Sequence, residues 1–332
     1  MGGRTTTMYT KSMRENPRRE AGPTKVVGAD SEYEAGLLRS FAEAFAENRK
    51  HPYEREQTPE EQRTVAAILE RFPDYVAQFG AEAPPFTPEH VHIVDLDQLS
   101  PERQREVRTD EHEMGYYLGE SQQIVVFSSD DDLRNAQRIV HELFHATSFQ
   151  SYTRQQTKGK SPIRLRRVGF EIVPGDEGDV SFVDLNEAVT EELARRFDEQ
   201  CFGEIGELAE ARAQRERVRD NIQKAGKSGE ELASVMSRRL QNEKWETSLT
   251  PYSYREQRYE LGKLCGEIAE THHDQFADAN EVFSQFARSY FSGKLKDVAR
   301  LIEDVRGKGS FRELAERTSR PADERNLPNP GT

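Results

Sequence analysis

Residues 138–149 read RIVHELFHATSF, and three of them, His141, Glu142 and His145, are spaced to do chemistry together. On a helix, at about 100° per residue, His145 lies about 40° round from His141 and Glu142 about 100°. Two imidazoles one turn apart reach one tetrahedral zinc ion. Glu142 is poorly placed to be a ligand and well placed to reach a metal-bound water. Zinc acidifies such a water, and the carboxylate takes its proton as it attacks a carbonyl. Leu133, Ala136, Ile139, Val140, Leu143 and Phe144 fall on the opposite arc, from roughly 160° to 300°. The helix is therefore expected to bury that side and to line a cleft with its histidines.

A catalytic zinc takes three protein ligands and keeps one position open. The continuation HATSFQS carries Ser148 and Ser151 where a metzincin has Gly and a third His, which excludes that class. The next candidate is LNEAVTEEL. Glu187 and Glu191 are i, i+4 on one helix face, opposite Leu185, Val189, Leu193 and Phe197. Such a pair in isolation is ordinarily a solvated acidic face. After a His-Glu-x-x-His helix and a hairpin, Glu187 is expected as the third ligand. Glu191 would accept the free ring N–H of a ligand histidine, His141 by preference, fixing its tautomer.

HELFH followed by NEAVTE resembles the gluzincin zinc metallopeptidases, over roughly residues 90–200. The resemblance implies an α+β, zincin-like fold: a small mixed sheet with the active-site helix, then a mainly helical half. It implies one zinc per chain on His141, His145 and Glu187, with Glu142 as general base and Glu191 behind the ligands. The expected reaction is hydrolysis of a peptide bond in a peptide or protein substrate. Two other readings stay open: a zinc hydrolase of non-peptide amides or esters, and a zinc-binding regulatory protein without turnover. A helical scaffold with chance motifs is the third rival, and it binds no metal.

Peptide hydrolysis also needs a donor for the oxyanion. TPYSYREQRYEL offers Tyr252, Tyr254 and Tyr259, and ETHHDQF offers His272 and His273; Tyr254 is the choice. The arm MGYYL is a candidate edge strand for binding an extended peptide. Arg138, on the histidine face, would hold a substrate carboxylate or pair with a nearby acid.

Several elements must position these groups. TPEEQRTVAAILERF opens with Thr58, Pro59 and Glu61, a capping box. HVHIVDL reads as a strand, SPERQREV as a short helix, and EMGYYLGESQQIVVFSS as a hairpin. The helix SDDDLRNAQRIVHELFHATSFQ is expected to be capped by Ser129 or Asp130. A second hairpin is expected from IRLRRVGFEIV and DVSFVDL around PGDEG. Everything from there to about 318 reads as helical. Segment 203–248 reads as an exposed, charged helical hairpin anchored by Trp245. QKAGKSGE lacks the first glycine and the preceding strand of a phosphate loop, so it reads as a turn between helices. The organisation expected is a disordered 1–28, a sheet-containing 29–160, a mainly helical 161–318 with the third ligand, and a disordered tail 319–332.

The net charge of −13 argues against nucleic acid or an anionic membrane as main partner. No apolar run approaches the roughly 20 residues of a membrane span, and the N-terminus lacks the apolar stretch of a secretion signal. With two cysteines, Cys201 and Cys265, a cytoplasmic protein is expected. The oligomeric state is not legible.

Overall fold

The computed structural model describes residues 25–27, 31–107, 114–119, 121–154, 163–174, 179–240 and 243–319. The chain begins with β1 (Lys25–Val27), α1 (Ser31–Glu47) and α2 (Pro59–Ala77). The Thr58 hydroxyl accepts the Glu61 N–H at 3.2 Å, and the Glu61 carboxylate accepts the Thr58 N–H at 2.7 Å, so α2 starts with the expected reciprocal cap. β2 (Val91–Val94), α3 (Pro101–Val107), β3 (Gly115–Leu118) and β4 (Gln123–Phe127) follow. β2 runs parallel to β4 and β3 antiparallel to it, in the order β2-β4-β3. β4 is central and buried at every position, hence its unbroken apolar run.

α4 (Asp132–Thr147) carries the histidine pair. Its cap is Asp131, not the expected Ser129 or Asp130: the Asp131 carboxylate accepts the Arg134 N–H at 3.1 Å, while Ser129 is held by Asn135 Oδ1. The helix stops at Thr147, and β5 (Gln150–Arg154) begins where a helix was expected to continue. β5 pairs parallel with β1 and antiparallel with β6 (Ile163–Val168), which turns at Gly169 into β7 (Glu171–Ile172). This second sheet has the order β1-β5-β6-β7.

Three expectations change here. β1 lies inside the segment 1–28 read as disordered; residues 1–24 and 28 lie outside the described residues, as do 320–332 of the tail. The second hairpin is shorter than expected, because Gly169 adopts φ 55° and reverses the chain within IRLRRVGFEIV itself. DVSFVDL is not its other arm. It contributes a single bridge, Ser181 to Ile172, and then enters α5 (Val183–Cys201) through Phe182 at φ 62°.

The largest correction is in segment 203–248. After α6 (Ala209–Lys224) the chain forms an antiparallel ribbon, β8 (Leu232–Arg239) and β9 (Trp245–Pro251), instead of a second charged helix. Residues 232–235 are buried on both faces at the ribbon's base, so no alternation marks the strand. Its outer half is Arg, Glu and Lys, which mimics a solvated helix. Trp245 sits there 68% exposed and anchors nothing to the body.

Helices α7 (Arg255–Thr271), α8 (Ala279–Ser292), α9 (Leu295–Arg306) and α10 (Ser310–Arg317) complete an α+β architecture. One hydrophobic cluster runs from Val65 on α2 through Phe144 and Phe197 to Ile302 on α9. The boundary expected near 160 falls between β5 and β6, which pair with each other. Among the described residues no helix is long and apolar enough to cross a membrane. Cys201 and Cys265 are both free and buried.

Candidate metal centre

α4 buries Ala136, Ile139, Val140, Leu143 and Phe144, and α5 buries Leu185, Val189, Leu193 and Phe197. With those backs packed in one core, the polar stripes of the two helices meet. They meet antiparallel, in three rungs. Gln137 Nε2 donates to Asp198 Oδ2 at 2.7 Å; His141 Nδ1 lies 2.8 Å from Glu191 Oε2; and His145 Nε2 lies 3.5 Å from Glu187 Oε1. Asn186 and Thr190 fix the rotation of α5. Asn186 Oδ1 accepts the Phe170 N–H at 3.0 Å, and the Thr190 hydroxyl lies 2.9 Å from that of Tyr290.

At the centre, His141 Nε2 and His145 Nε2 face each other at 3.0 Å, and Glu187 Oε2 lies 3.3 Å from His141 Nε2. Tetrahedral zinc with bonds of about 2.0–2.1 Å sets its ligand atoms about 3.3–3.4 Å apart. The two nitrogens, at 3.0 Å, and the nearer carboxylate oxygen of each ring, Oε2 at 3.3 Å from His141 and Oε1 at 3.5 Å from His145, lie close to that edge. The hydrogen bonding agrees. His141 commits Nδ1–H to Glu191, so in the neutral ring Nε2 presents a lone pair towards the second imidazole and a carboxylate. Only a proton or a cation reconciles three such acceptors. Among the described residues, His141, His145 and Glu187 form the cluster of metal-ligating side chains.

The electrostatics express the same demand. Burial acts to lower the His141 pKa, but Glu187 and Glu191 overcome it and hold it well above the ordinary histidine value. Burial acts to raise Glu187, but the His145 and His141 rings hold it well below the ordinary carboxylate value. Two imidazoles and one carboxylate, all mostly buried, suit zinc with a remaining open position.

Glu191 lies behind the ligands. Its Oε2 takes the His141 contact and its Oε1 accepts the Ser253 N–H at 2.8 Å. Glu142 is buried at 6% exposure; its carboxylate lies against β3 and close enough to His141 to help raise that ring's pKa. A Cβ at Gly115 would lie 2.7 Å from the Val125 carbonyl oxygen and 3.3 Å from Glu142 Oε1, so glycine here leaves room for both. β3 ends its sheet and, among the described residues, pairs only with β4.

The five oxyanion candidates separate. The Tyr254 ring stacks on His141 at 6.0 Å between centroids and 17° between planes. Tyr252 is buried, with its hydroxyl donating to Asp198 Oδ2 at 2.6 Å. Tyr259 is 71% exposed on α7. His272 and His273 follow α7, about 27 Å along its axis from Tyr254, and His272 lies 3.8 Å from Asp304. Arg138 donates to the Phe127 carbonyl and reaches Met114 Sδ at 3.0 Å, tying α4 to the sheet.

Sequence reading missed Gln137, Asp198, Arg215 and Ser253. Asp198 carried a signal, since it lies within about 20° of Glu187 on the α5 wheel. Ser253 carried none, because it acts through its backbone. Comparison with protein-family models, curated proteins and solved structures returns no match to this chain.

Proposed function

We propose that this chain is a zinc hydrolase of the gluzincin type, with a zincin-like arrangement, acting on peptide bonds. The observation that carries the reading is the convergence of His141 Nε2, His145 Nε2 and the Glu187 carboxylate, whose Oε2 lies 3.3 Å from His141 and whose Oε1 lies 3.5 Å from His145. His141, His145 and Glu187 would hold the ion. Zinc bound there supplies positive charge that acidifies water and polarises a carbonyl.

The chain's own groups do the rest. Glu191 holds the His141 ring by its Nδ1–H, so that Nε2 stays the ligand atom. Glu142 accepts the proton of the attacking water at its carboxylate and returns it to the leaving nitrogen. β3, which among the described residues pairs with β4 alone and lies against Glu142, offers an edge to an extended substrate. That edge favours a peptide over a small amide or ester. Tyr254, stacked on His141, is the oxyanion donor in this reading.

The test is metal content followed by turnover. Purified protein should hold close to one zinc per chain, and His141→Ala and Glu187→Ala should each lose it. Glu142→Gln should keep the zinc and lower peptide hydrolysis by about 10²-fold or more. Zinc retained in Glu187→Ala would mean another residue completes the set, and the gluzincin reading would go.

A further inference from the structure

The Gln137–Asp198 rung of the α4–α5 ladder holds no metal ligand, yet it is heavily bonded and buried. Asp198 and Arg215 are both fully buried and paired through two contacts, Nη1–Oδ2 at 2.6 Å and Nη2–Oδ1 at 2.8 Å. Gln137 Nε2 and the Tyr252 hydroxyl also donate to Asp198 Oδ2, at 2.7 Å and 2.6 Å. Gln137 and Arg215 both donate to the Ala233 carbonyl as well. α4, α6 and the chain leaving β9 therefore converge on one carboxylate of α5, and the base of β8 is tied in through two of those donors.

A buried ion pair is a weak source of stability, since apolar residues of the same volume do as well. What it supplies is direction. Donors from α4 and α6 fix where the Asp198 oxygens lie, and so where the Tyr252 hydroxyl must lie. Arg258 caps the other side of Tyr252, 5.5 Å from its ring centroid.

Tyr252 is adjacent to the two residues that reach the proposed centre. The Ser253 N–H bonds Glu191, and the Tyr254 ring stacks on His141. Tyr254 adopts φ 50°, a region costly for a residue with a side chain, so its surroundings must impose that conformation. Tyr252 anchors this stretch through its hydroxyl on Asp198 and its N–H on the Glu231 carbonyl at 3.0 Å.

We infer that Asp198 and Arg215 are positioning residues for the metal centre, acting through Tyr252 to set the Ser253 N–H on Glu191 and the Tyr254 ring on His141. This rests on the zinc reading of His141, His145 and Glu187. Arg215 itself is a poor variant to make, because removing it strands the Asp198 charge in the core. Tyr252→Phe deletes one hydroxyl and keeps the ring.

Zinc affinity of the folded protein, measured by competition with a chelator, is the readout. Tyr252→Phe should weaken it about 10-fold, the lower end of what partners behind metal ligands contribute. The effect should shrink when Tyr252→Phe is made in Glu191→Ala, because the route through the Ser253 N–H is then absent and only the Tyr254 ring remains. Wild-type affinity in Tyr252→Phe, whatever its melting temperature, overturns the inference and leaves the zinc site standing. Equal losses in the two backgrounds overturn it too, since Tyr252 would then not act through Glu191. A wild-type protein that binds no zinc removes the site and the inference together.

Discussion

At the residue scale, the centre divides its histidine-facing groups by what they touch. His141 is held on both sides, by Glu191 at Nδ1 and by His145 and Glu187 around Nε2. Its ring also has Tyr254 over one face, at 6.0 Å. Stacking already positions that ring without help from the phenol oxygen. Tyr254→Phe is therefore expected to keep the zinc and to lower kcat by about 10²-fold, the loss typical of one oxyanion donor. Metal analysis and single-substrate kinetics check this, and an unchanged kcat would remove Tyr254 from the mechanism. The meeting of His141, His145, Glu187 and Glu191 was legible because helical periodicity converts spacing directly into shared faces. Ser253 was not, because a backbone N–H leaves no trace in residue type.

At the element scale, α2, α4 and α5 were readable because each couples an apolar stripe to terminal or functional polar residues. The ribbon of β8 and β9 was not. Its base is buried on both faces and its tip is solvated, so neither half shows the alternation of a half-buried strand. The two descriptions of segment 203–248 differ in what they expect of Trp245. A tryptophan anchored in the body costs about 3–5 kcal/mol when truncated. On an exposed ribbon, Trp245→Ser should change stability by no more than about 0.5 kcal/mol. Denaturant unfolding measures the difference, and a large loss would mean that the ribbon packs against something.

At the scale of the whole molecule, the acidic surplus of −13 is partly organised into ion pairs. Glu192 is the centre of one group: it contacts Arg195 at 2.7 Å, Arg196 at 2.8 Å and Arg258 at 3.2 Å. Burial acts to raise its pKa, but the Arg195 and Arg196 guanidiniums dominate and bring it down to about 2. A carboxylate depressed in the folded state stabilises the fold above its unfolded pKa of about 4.5 and loses that contribution as pH falls through the folded value. Stability should therefore decline between about pH 4.5 and 2, and Glu192→Gln should flatten that decline while lowering stability at neutral pH. Thermal unfolding against pH checks it; an unchanged acid limb in the variant would assign the loss to other carboxylates.

The sequence by itself determined the groups that lie on common helix faces, because the pitch of a helix is fixed by local hydrogen bonding. It thus determined that HELFH and NEAVTE each present an apolar back and a polar front. It could not determine that the two fronts meet in antiparallel register, that α6, β8 and the 252–254 segment close round Asp198, or that Gly115 lets β3 reach Glu142. Those arrangements depend on long-range packing of surfaces distant in the chain, and on backbone groups identical in every residue. Only the tertiary structure decided them.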